Sequence, residues 1–516
     1  MSRPNDDYKI VQWIHTRLPD KRAFFEHAGY KPHAGQEQIH AALESSDLVI
    51  CAAGVRCGKT MAAGMEMYLE SMLPRKEFVG WTVAPTKELA DIVFDAVTQY
   101  LRDHFRSQPN LLIERRTDGE LSFPNLGGGR SRIFRKTTFD AQGKGKLTGQ
   151  AVDFMIVDEA AKILHDSIWY NELATRLVDR GGKALLISSP MGQGGFFATL
   201  WHDARMAESD SISLRMPSWT NIHVPAKVWA KLRLKTPERA WRQEYAAEFI
   251  SQEGNVFDEA QIARNSRGRF EDPIQGAIYY AGVDLAMVDD YTVCTILRDT
   301  PEGPKLVRAL RMRKVGQDEQ VRRVAALLKP YGNAPTYVDA TSIGRPFVQA
   351  FMKAGVEVRP VVWSAPKKSD MTRNMMLLVE RGLITFPQRD LFPELYRELT
   401  QYRWKQTGGY EIGEAPPGQN DDIVSALLMA CQWFKGKVMT EGMSIADLKD
   451  AERHIADQKN RPLVNGIEEE DEEAAEDRAE DRRLNTQQAP SFYTSQRGGL
   501  GSLTRGGGPL GFRNSF

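Results

Sequence analysis

From about Tyr30 to Phe249 the chain repeats one pattern: a short apolar run, a turn or capping residue, then an amphipathic stretch. The runs "DLVICAA", "FVGWTVAP", "DFMIVDEAA" and "KALLISSP" each carry four to six apolar residues. Runs of this length without polar alternation suit strands buried on both faces of a parallel sheet, with the amphipathic stretches as covering helices. Residues 1–250 therefore read as an α/β layered domain. A charged helical region, "PERAWRQEYAAEFI", closes it, so a helical lid is expected at about 205–250 and a polar linker at 251–274.

A second block opens at "AIYYAGVDLAMVDDYTVCTILRD", two strand-like runs around a carboxylate-bearing turn. "PTYVDAT" reads as another strand, and "NDDIVSALLMACQWF" spaces Ile423, Leu427, Leu428 and Cys431 along one helical face. A second α/β domain at 275–436 follows. Beyond it, the acidic run and "RGGLGSLTRGGGPLGF" hold too few apolar residues for a core, so 437–516 is expected to be a mostly disordered tail.

The length of 516 residues agrees with more than one domain. No apolar run is long enough to span a bilayer and the N-terminus has no secretory pattern, so a cytosolic protein without a membrane segment is expected. Cys51, Cys57, Cys294 and Cys431 lack metal-ligand or disulfide spacing. The 68 basic and 68 acidic residues balance, yet Gly466–Arg483 holds ten acidic and three basic residues and leaves the remainder of the chain positive by seven. That excess is compatible with a nucleic-acid surface and equally with ordinary solvated faces.

The stretch "VICAAGVRCGKT", Val49 to Thr60, follows a strand-like run and precedes a helical one. In such a phosphate-binding loop, backbone N–H groups at a helix N-terminus cradle phosphates, a lysine reaches the β/γ oxygens, and a hydroxyl meets Mg²⁺. Gly58, Lys59 and Thr60 fill those positions, with Gly54 inside the loop and Ala53 at its leading small position, where alanine serves while its φ is negative. About a hundred residues on, Asp158 and Glu159 end the run "FMIVDEAA". There an aspartate suits Mg²⁺ and a glutamate suits polarising the attacking water. Ser188 and Ser189 end "ALLISSP", where hydroxyls can sense the γ-phosphate or simply lead into a proline turn. Gln36 precedes the first strand; its amide can pair with adenine or do nothing of the kind.

In the second block Asp284 closes one strand, Asp290 opens the next, Asp339 ends "TYVD", and Asp421 with Asp422 starts a helix. Carboxylates converging at a sheet edge repel unless cations neutralise them, and hard oxygen ligands select Mg²⁺ or Mn²⁺. Two such ions activate water and stabilise the leaving oxygen in phosphodiester cleavage. The structural alternative is that aspartates at strand ends and helix starts cap and turn the backbone.

Taken in order, "AAGVRCGKT", "IVDEAA", "LLISSPMGQGGFF", "GVDLAMVDD", "YVDAT" and "NDDIVSALL" resemble the large terminase subunit of tailed bacteriophages over residues 30–436. The resemblance implies an additional-strand P-loop ATPase fused to an RNase H-like nuclease, which pumps double-stranded DNA into a procapsid through a portal and cuts the concatemer. It also implies a small terminase subunit as partner, a ring of subunits, often five, and a place in the host bacterial cytoplasm with transient docking on the procapsid. By the same resemblance Arg56 is the loop arginine that contacts the γ-phosphate, Lys59 and Thr60 bind phosphate and Mg²⁺, Asp158 holds the metal, and Glu159 is the base. Gln36 falls in the adenine-reading segment and Ser188–Pro190 in the coupling motif. Asp284, Asp339 and Asp421 or Asp422 match nuclease metal ligands, with Asp290 auxiliary.

One position departs: many relatives carry arginine where this chain has Thr148, which leaves Arg130, Arg132, Arg135 or Lys146 as trans-acting alternatives. Two rival readings exist. A helicase-like repair translocase requires a second motor domain, where this chain has carboxylates. A non-enzymatic assembly factor has no need of intact Lys59, Thr60, Asp158 and Glu159.

Overall fold

The uninterrupted apolar runs become strands whose alternate residues feed two cores. In β1 (Leu48–Ala53), Val49, Cys51 and Ala53 pack on one side and Ile50 and Ala52 on the other. Across the same sheet, Phe154 and Ile156 face the first core, and Met155 and Val157 the second. Each large side chain so buried contributes about 1.5–3 kcal/mol, which explains the absence of polar alternation. The computed structural model describes residues 21–138, 147, 150–163, 165–206, 209–250, 254–285, 291–341, 344–407, 410–435 and 445–460.

The first sheet adds β2 (Glu77–Ala84), β3 (Ile113–Arg115), β4 (Glu120–Pro124), β5 (Arg130–Thr137), β6 (Phe154–Asp158), β7 (Lys183–Ser188) and β8 (Ile212–Met216). Its order is β3-β4-β5-β2-β6-β7-β1-β8, antiparallel through β3-β4-β5 and parallel from β5 onward. β7 is thus inserted between β1, which feeds the glycine-bearing loop, and β6, which ends in Asp158. Helices α1 (Ala34–Ser45), α2 (Lys59–Met72) and α3 (Lys87–His104) cover the first core.

The expected helical lid at 205–250 needs revising. Residues 212–216 are the edge strand β8, paired with β1, because Leu214 and Met216 are buried on one side of a half-polar run. The helical cover begins at Ser218 and includes α4 (Ala226–Lys235).

The segment read as a linker, 251–274, also differs. Val256 and Phe257 are buried in the second domain's core, Val256 N–H donates to the Tyr402 carbonyl, and α5 (Glu259–Asn265) buries Ile262 there. Three scattered apolar residues in a polar stretch were enough to anchor it.

The second domain has β9 (Tyr279–Asp284), β10 (Tyr291–Arg298), β11 (Lys305–Arg313), β12 (Thr336–Asp339) and β13 (Val358–Val361) in the order β11-β10-β9-β12-β13. The β11-β10-β9 pairs are antiparallel and β9-β12-β13 parallel. Helix α6 (Ala365–Glu380) starts after Ser364 with Pro366 in its first turn, and Gly382, at φ 67°, turns the chain out of it. Helix α7 (Pro393–Gln401) and a hairpin of β14 (Arg403–Thr407) and β15 (Tyr410–Glu414) follow.

Helix α8 (Asp422–Cys431) lies directly on β9. Gly282 permits this approach, since a Cβ there would meet the Ala426 carbonyl oxygen at 2.1 Å.

Within the expected tail, residues 445–460 form helix α9 (Ile445–Asn460), which packs on α4 and buries Ile455 beside Trp219, Trp229 and Trp241. Residues 461–516 lie outside the described residues. Among the described residues no helix is long and apolar enough to cross a membrane.

Candidate functional sites

The loop after β1 is shaped by two left-handed residues, Arg56 at φ 62° and Gly58 at φ 96°. Ala53 ends β1 outside the positive-φ set. Gly58 is the N-cap of α2 and has no side chain to bond the N–H groups of the first turn, which leaves that end of the helix suited to an anion. Lys59 and half-buried Thr60 open the helix. These uncapped donors, a buried lysine and the adjoining acidic strand end fit a triphosphate and its magnesium ion.

The loop is held from outside as well. Gly54 N–H donates to the Met216 carbonyl and Val55 N–H to that of Glu244, both at 2.8 Å. The Ser218 hydroxyl donates to the Val55 carbonyl at 2.6 Å and the Asn221 amide to that of Arg56 at 2.8 Å. Gly54 has to be glycine here: a Cβ would come within 2.5 Å of both Ser218 Oγ and the Tyr245 carbonyl oxygen.

The Gln36 amide is engaged within the fold. Its Oε1 accepts from His33 N–H at 3.2 Å and its Nε2 donates to the Gly58 carbonyl at 3.0 Å, so the buried amide ties the start of α1 to the end of the loop. His33 joins it through Nε2 and the Cys57 carbonyl, 2.9 Å apart. The sequence reading missed His33, although a polar side chain three residues before glutamine is a capping-box spacing.

At the end of β6, Asp158 is buried and its Oδ1 accepts from Glu159 N–H at 2.9 Å. Burial pushes the Asp158 carboxyl up to about 6, with Glu159 adding to the rise and Lys59 opposing it. Glu159 lies at φ 52° between two lysines, Lys59 Nζ at 3.3 Å and Lys162 Nζ at 3.0 Å. Burial raises its carboxyl, but these ammonium groups outweigh it and hold the group below its ordinary value.

Ser189 donates to the Ala53 carbonyl at 3.0 Å and Ser188 to the Ser189 carbonyl at 2.9 Å. Ser189 thus ties β7 to the root of the loop through the backbone, with both hydroxyl protons committed there. Of the trans-acting alternatives, Arg130 donates to Ser122, Arg132 pairs with Glu77 and Arg135 with Asp91. Lys146 and Thr148 lie outside the described residues.

In the second domain, β9 and β12 run parallel with Val283 beside Val338, so Asp284 and Asp339 finish neighbouring strands at one edge. Asp421 and Asp422 enter α8 at that same edge. Enclosure raises the half-buried Asp284 carboxyl well above the usual range, with Asp339, Asp422 and Asp421 reinforcing the rise and Lys368 opposing it. Such mutual repulsion is the chemistry a hard divalent cation relieves, so the donor set fits magnesium or manganese. The ligand shell is not closed: among the described residues no three acidic, histidine or cysteine side chains meet at metal-holding distance. Asp339 Oδ1 instead accepts from Thr341 N–H at 2.8 Å. Asp290 lies outside the described residues.

Two partners of this centre were invisible in the sequence. Lys368 Nζ, on α6, lies 3.4 Å from Asp421 Oδ2. Glu398, on α7, accepts from Ile423 N–H at 2.8 Å and Val424 N–H at 3.3 Å, capping α8 from another helix. Burial pushes the Glu398 carboxyl up to about 8, with Asp422 adding to the rise and Arg311 opposing it. Both residues are remote in sequence from the aspartates they serve, and no local motif marks them.

Fold and sites together define a class: an additional-strand P-loop ATPase joined to an RNase H-like domain with an acidic edge. Two family profiles match in the same order, "Terminase large subunit, T4likevirus-type, N-terminal" over residues 50–264 and "Terminase RNaseH-like domain" over 281–432. The chain belongs to the terminase large-subunit family, the phage DNA-packaging ATPase-nucleases. The large terminase subunit of Thermus virus P23-45 is 29% identical over 452 residues, which span 82% of this chain and 91% of that protein. The large terminase subunit of Escherichia phage T5 is 25% identical over 285 residues, 52% of this chain and 60% of that one. The large terminase of the thermophilic bacteriophage D6E shares the fold, with a TM-score of 0.52 at 16% identity over 77% of this chain and 98% of that chain.

Proposed function

We propose that the chain is the ATP-driven motor that moves double-stranded DNA through the portal into a procapsid and cuts the concatemer at the Asp284 centre with two divalent ions. The observation that carries this reading is the coexistence, in one polypeptide, of a phosphate loop whose Lys59 pairs with Glu159 beside Asp158 and a separate sheet edge that carries Asp284, Asp339, Asp421 and Asp422. A second motor domain, which a helicase requires, is replaced by the acidic sheet edge.

ATP is the fuel. Thr60 and Asp158 hold magnesium at the first centre, and Asp284, Asp339, Asp421 and Asp422 hold Mg²⁺ or Mn²⁺ at the second, with Asp290 auxiliary. The bound ion supplies Lewis acidity toward phosphate oxygens and water. Lys59 leaves Glu159 for the β/γ oxygens when triphosphate enters, and Arg56 reaches the γ-phosphate. Glu159, released from Lys59, takes a proton from the attacking water. Loss of the γ-phosphate loosens the loop from Ser218, Asn221 and Glu244, and the helical cover shifts. DNA held by backbone phosphate contacts moves with that shift without its sequence being read. Site choice falls to a small terminase subunit, and the motor works as a ring, a pentamer in the family's pattern, docked on the portal in the host cytoplasm.

The test is packaging of linear DNA into purified empty heads with ATP and Mg²⁺, alongside plasmid cleavage with Mn²⁺. Glu159→Ala is expected to abolish packaging and ATP turnover. Asp284→Ala is expected to abolish cleavage and keep ATP turnover; cleavage surviving in Asp284→Ala would refute the assignment of the second centre.

A further inference from the structure

The two centres are physically connected through one helix. On the ATPase side, the Glu244 carbonyl accepts the Val55 N–H of the phosphate loop at 2.8 Å. The side chain of that same residue pairs with the second domain, Glu244 Oε1 lying 2.6 Å from Arg373 Nη1 on α6. Five residues earlier on α6, Lys368 reaches Asp421 at 3.4 Å. Further along, the Asn374 amide donates to the Cys431 carbonyl at 2.9 Å, so α6 grips both ends of α8, the helix that carries Asp421 and Asp422.

Other contacts between the helical cover and the second domain sit further from the loop. Glu238 N–H donates to Glu380 Oε2 at 3.0 Å, at the far end of α6, and Arg239 pairs with Glu411 of the hairpin at 3.0 Å. Among these contacts, Glu244 is the residue whose backbone touches the phosphate loop while its side chain touches α6. A regular helix of this length moves as a unit, because its i to i+4 bonds make internal deformation costly relative to a rigid shift. A displacement of Glu244 relative to the loop is therefore passed to Arg373 and arrives at Asp421 as a change of position.

We infer that Arg373 is a positioning residue shared by the two centres: through Glu244 it makes the placement of Asp421 and Asp422, and hence the cleavage rate, depend on which nucleotide occupies the phosphate loop. The inference rests on the reading of these sites as ATPase and nuclease. It deepens that reading by stating that the cut is controlled within one subunit by the state of its own loop.

The experiment measures Mn²⁺-dependent cleavage of supercoiled plasmid by the full chain in the presence of ADP and of a non-hydrolysable ATP analogue, adenylyl imidodiphosphate. The wild-type rates are expected to differ by about three- to fivefold, the range that an ion pair with each side chain about one-third exposed can transmit. In Arg373→Ala the two rates become equal while ATP turnover stays within about twofold of wild type. Glu244→Gln removes the same charge from the other side and is expected to equalise the rates too, so a folding defect in one variant does not decide the question. The exchange Glu244→Arg with Arg373→Glu is expected to restore the difference, a rescue that a merely structural role would not produce. Wild-type cleavage indifferent to the nucleotide, or Arg373→Ala still responding to it, overturns the inference. Asp284→Ala run in parallel separates the two levels: if it still cuts, the nuclease reading itself is wrong; if it is inactive and Arg373→Ala still responds, only the coupling is wrong.

Discussion

Gly282→Ala tests how the acidic edge is assembled. The added Cβ would lie 2.1 Å from the Ala426 carbonyl oxygen and 2.6 Å from Ala430 N, both backbone atoms of α8 that cannot rotate away. Ordinary contact needs more than about 3.4 Å, so the helix has to retreat from β9 by roughly 1 Å or the strand has to bend. Overpacking of this kind costs typically about 1–3 kcal/mol. Taking about 2 kcal/mol, the melting of a domain of this size falls by about 4–8 °C. The functional effect is larger, because Asp421 and Asp422 ride on the displaced helix while Asp284 stays on the strand. A misplacement of about 1 Å at reacting groups costs on the order of 100-fold in rate. The assay is Mn²⁺-dependent plasmid cleavage with ATP turnover by the same preparation as internal control: cleavage is expected to fall about 100-fold with turnover unchanged. Wild-type cleavage and melting in Gly282→Ala would show that α8 does not need its close seat on β9, and the account of the edge would be wrong.

Other outcomes follow from the same geometry. Lys59→Ala removes the loop's buried cation and is expected to lower ATP turnover at least about 100-fold, measured by phosphate release, with Asp284-dependent cleavage retained. Asp158 has a folded-state carboxyl value raised from 3.8 to about 6, so its contribution to stability is full below about pH 4 and is lost as pH rises through 6; the nucleotide-free, metal-free protein should lose up to about 3 kcal/mol across that window in denaturant titrations, and Asp158→Asn should flatten it. Ile455→Ala empties a fully buried position against the indoles, at a cost of about 2–5 kcal/mol to the docking of α9, read as a red shift of tryptophan emission and faster proteolysis after residue 435.

The parts legible in the sequence are those where one residue type has one structural use. Four or more consecutive apolar residues admit two-sided burial and little else, so β1, β6 and β7 were readable, and β2 nearly so, its run broken only by Gly80 and Thr82. Asp284, Asp339 and Asp421 were readable as strand and helix ends, but their meeting depends on β9 lying beside β12, which pairing alone decides. Gln36 was open between pairing with adenine and no such task, because an amide suits either; its two hydrogen bonds, to His33 and Gly58, exist only in the folded chain. Lys368 and Asp421 are 53 residues apart, and Glu244 and Arg373 further still, so no window along the chain contains either pair. Strand β8 escaped notice because an edge strand with one wet side carries half the apolar signal of its neighbour β1.

The chain passes out of the ATPase near residue 250, builds the nuclease, and comes back at α9 to cover Trp219, Trp229 and Trp241. The halves are therefore stitched together at two seams. A fragment stopped at residue 250 bares indoles that the distant Ile455 normally shields, and it should be sticky in isolation. Recombination between relatives through a single crossover would mate one parent's tryptophan cluster with the other parent's closing helix; an exchange that preserves the fit has to replace the middle of the gene and leave both ends in place.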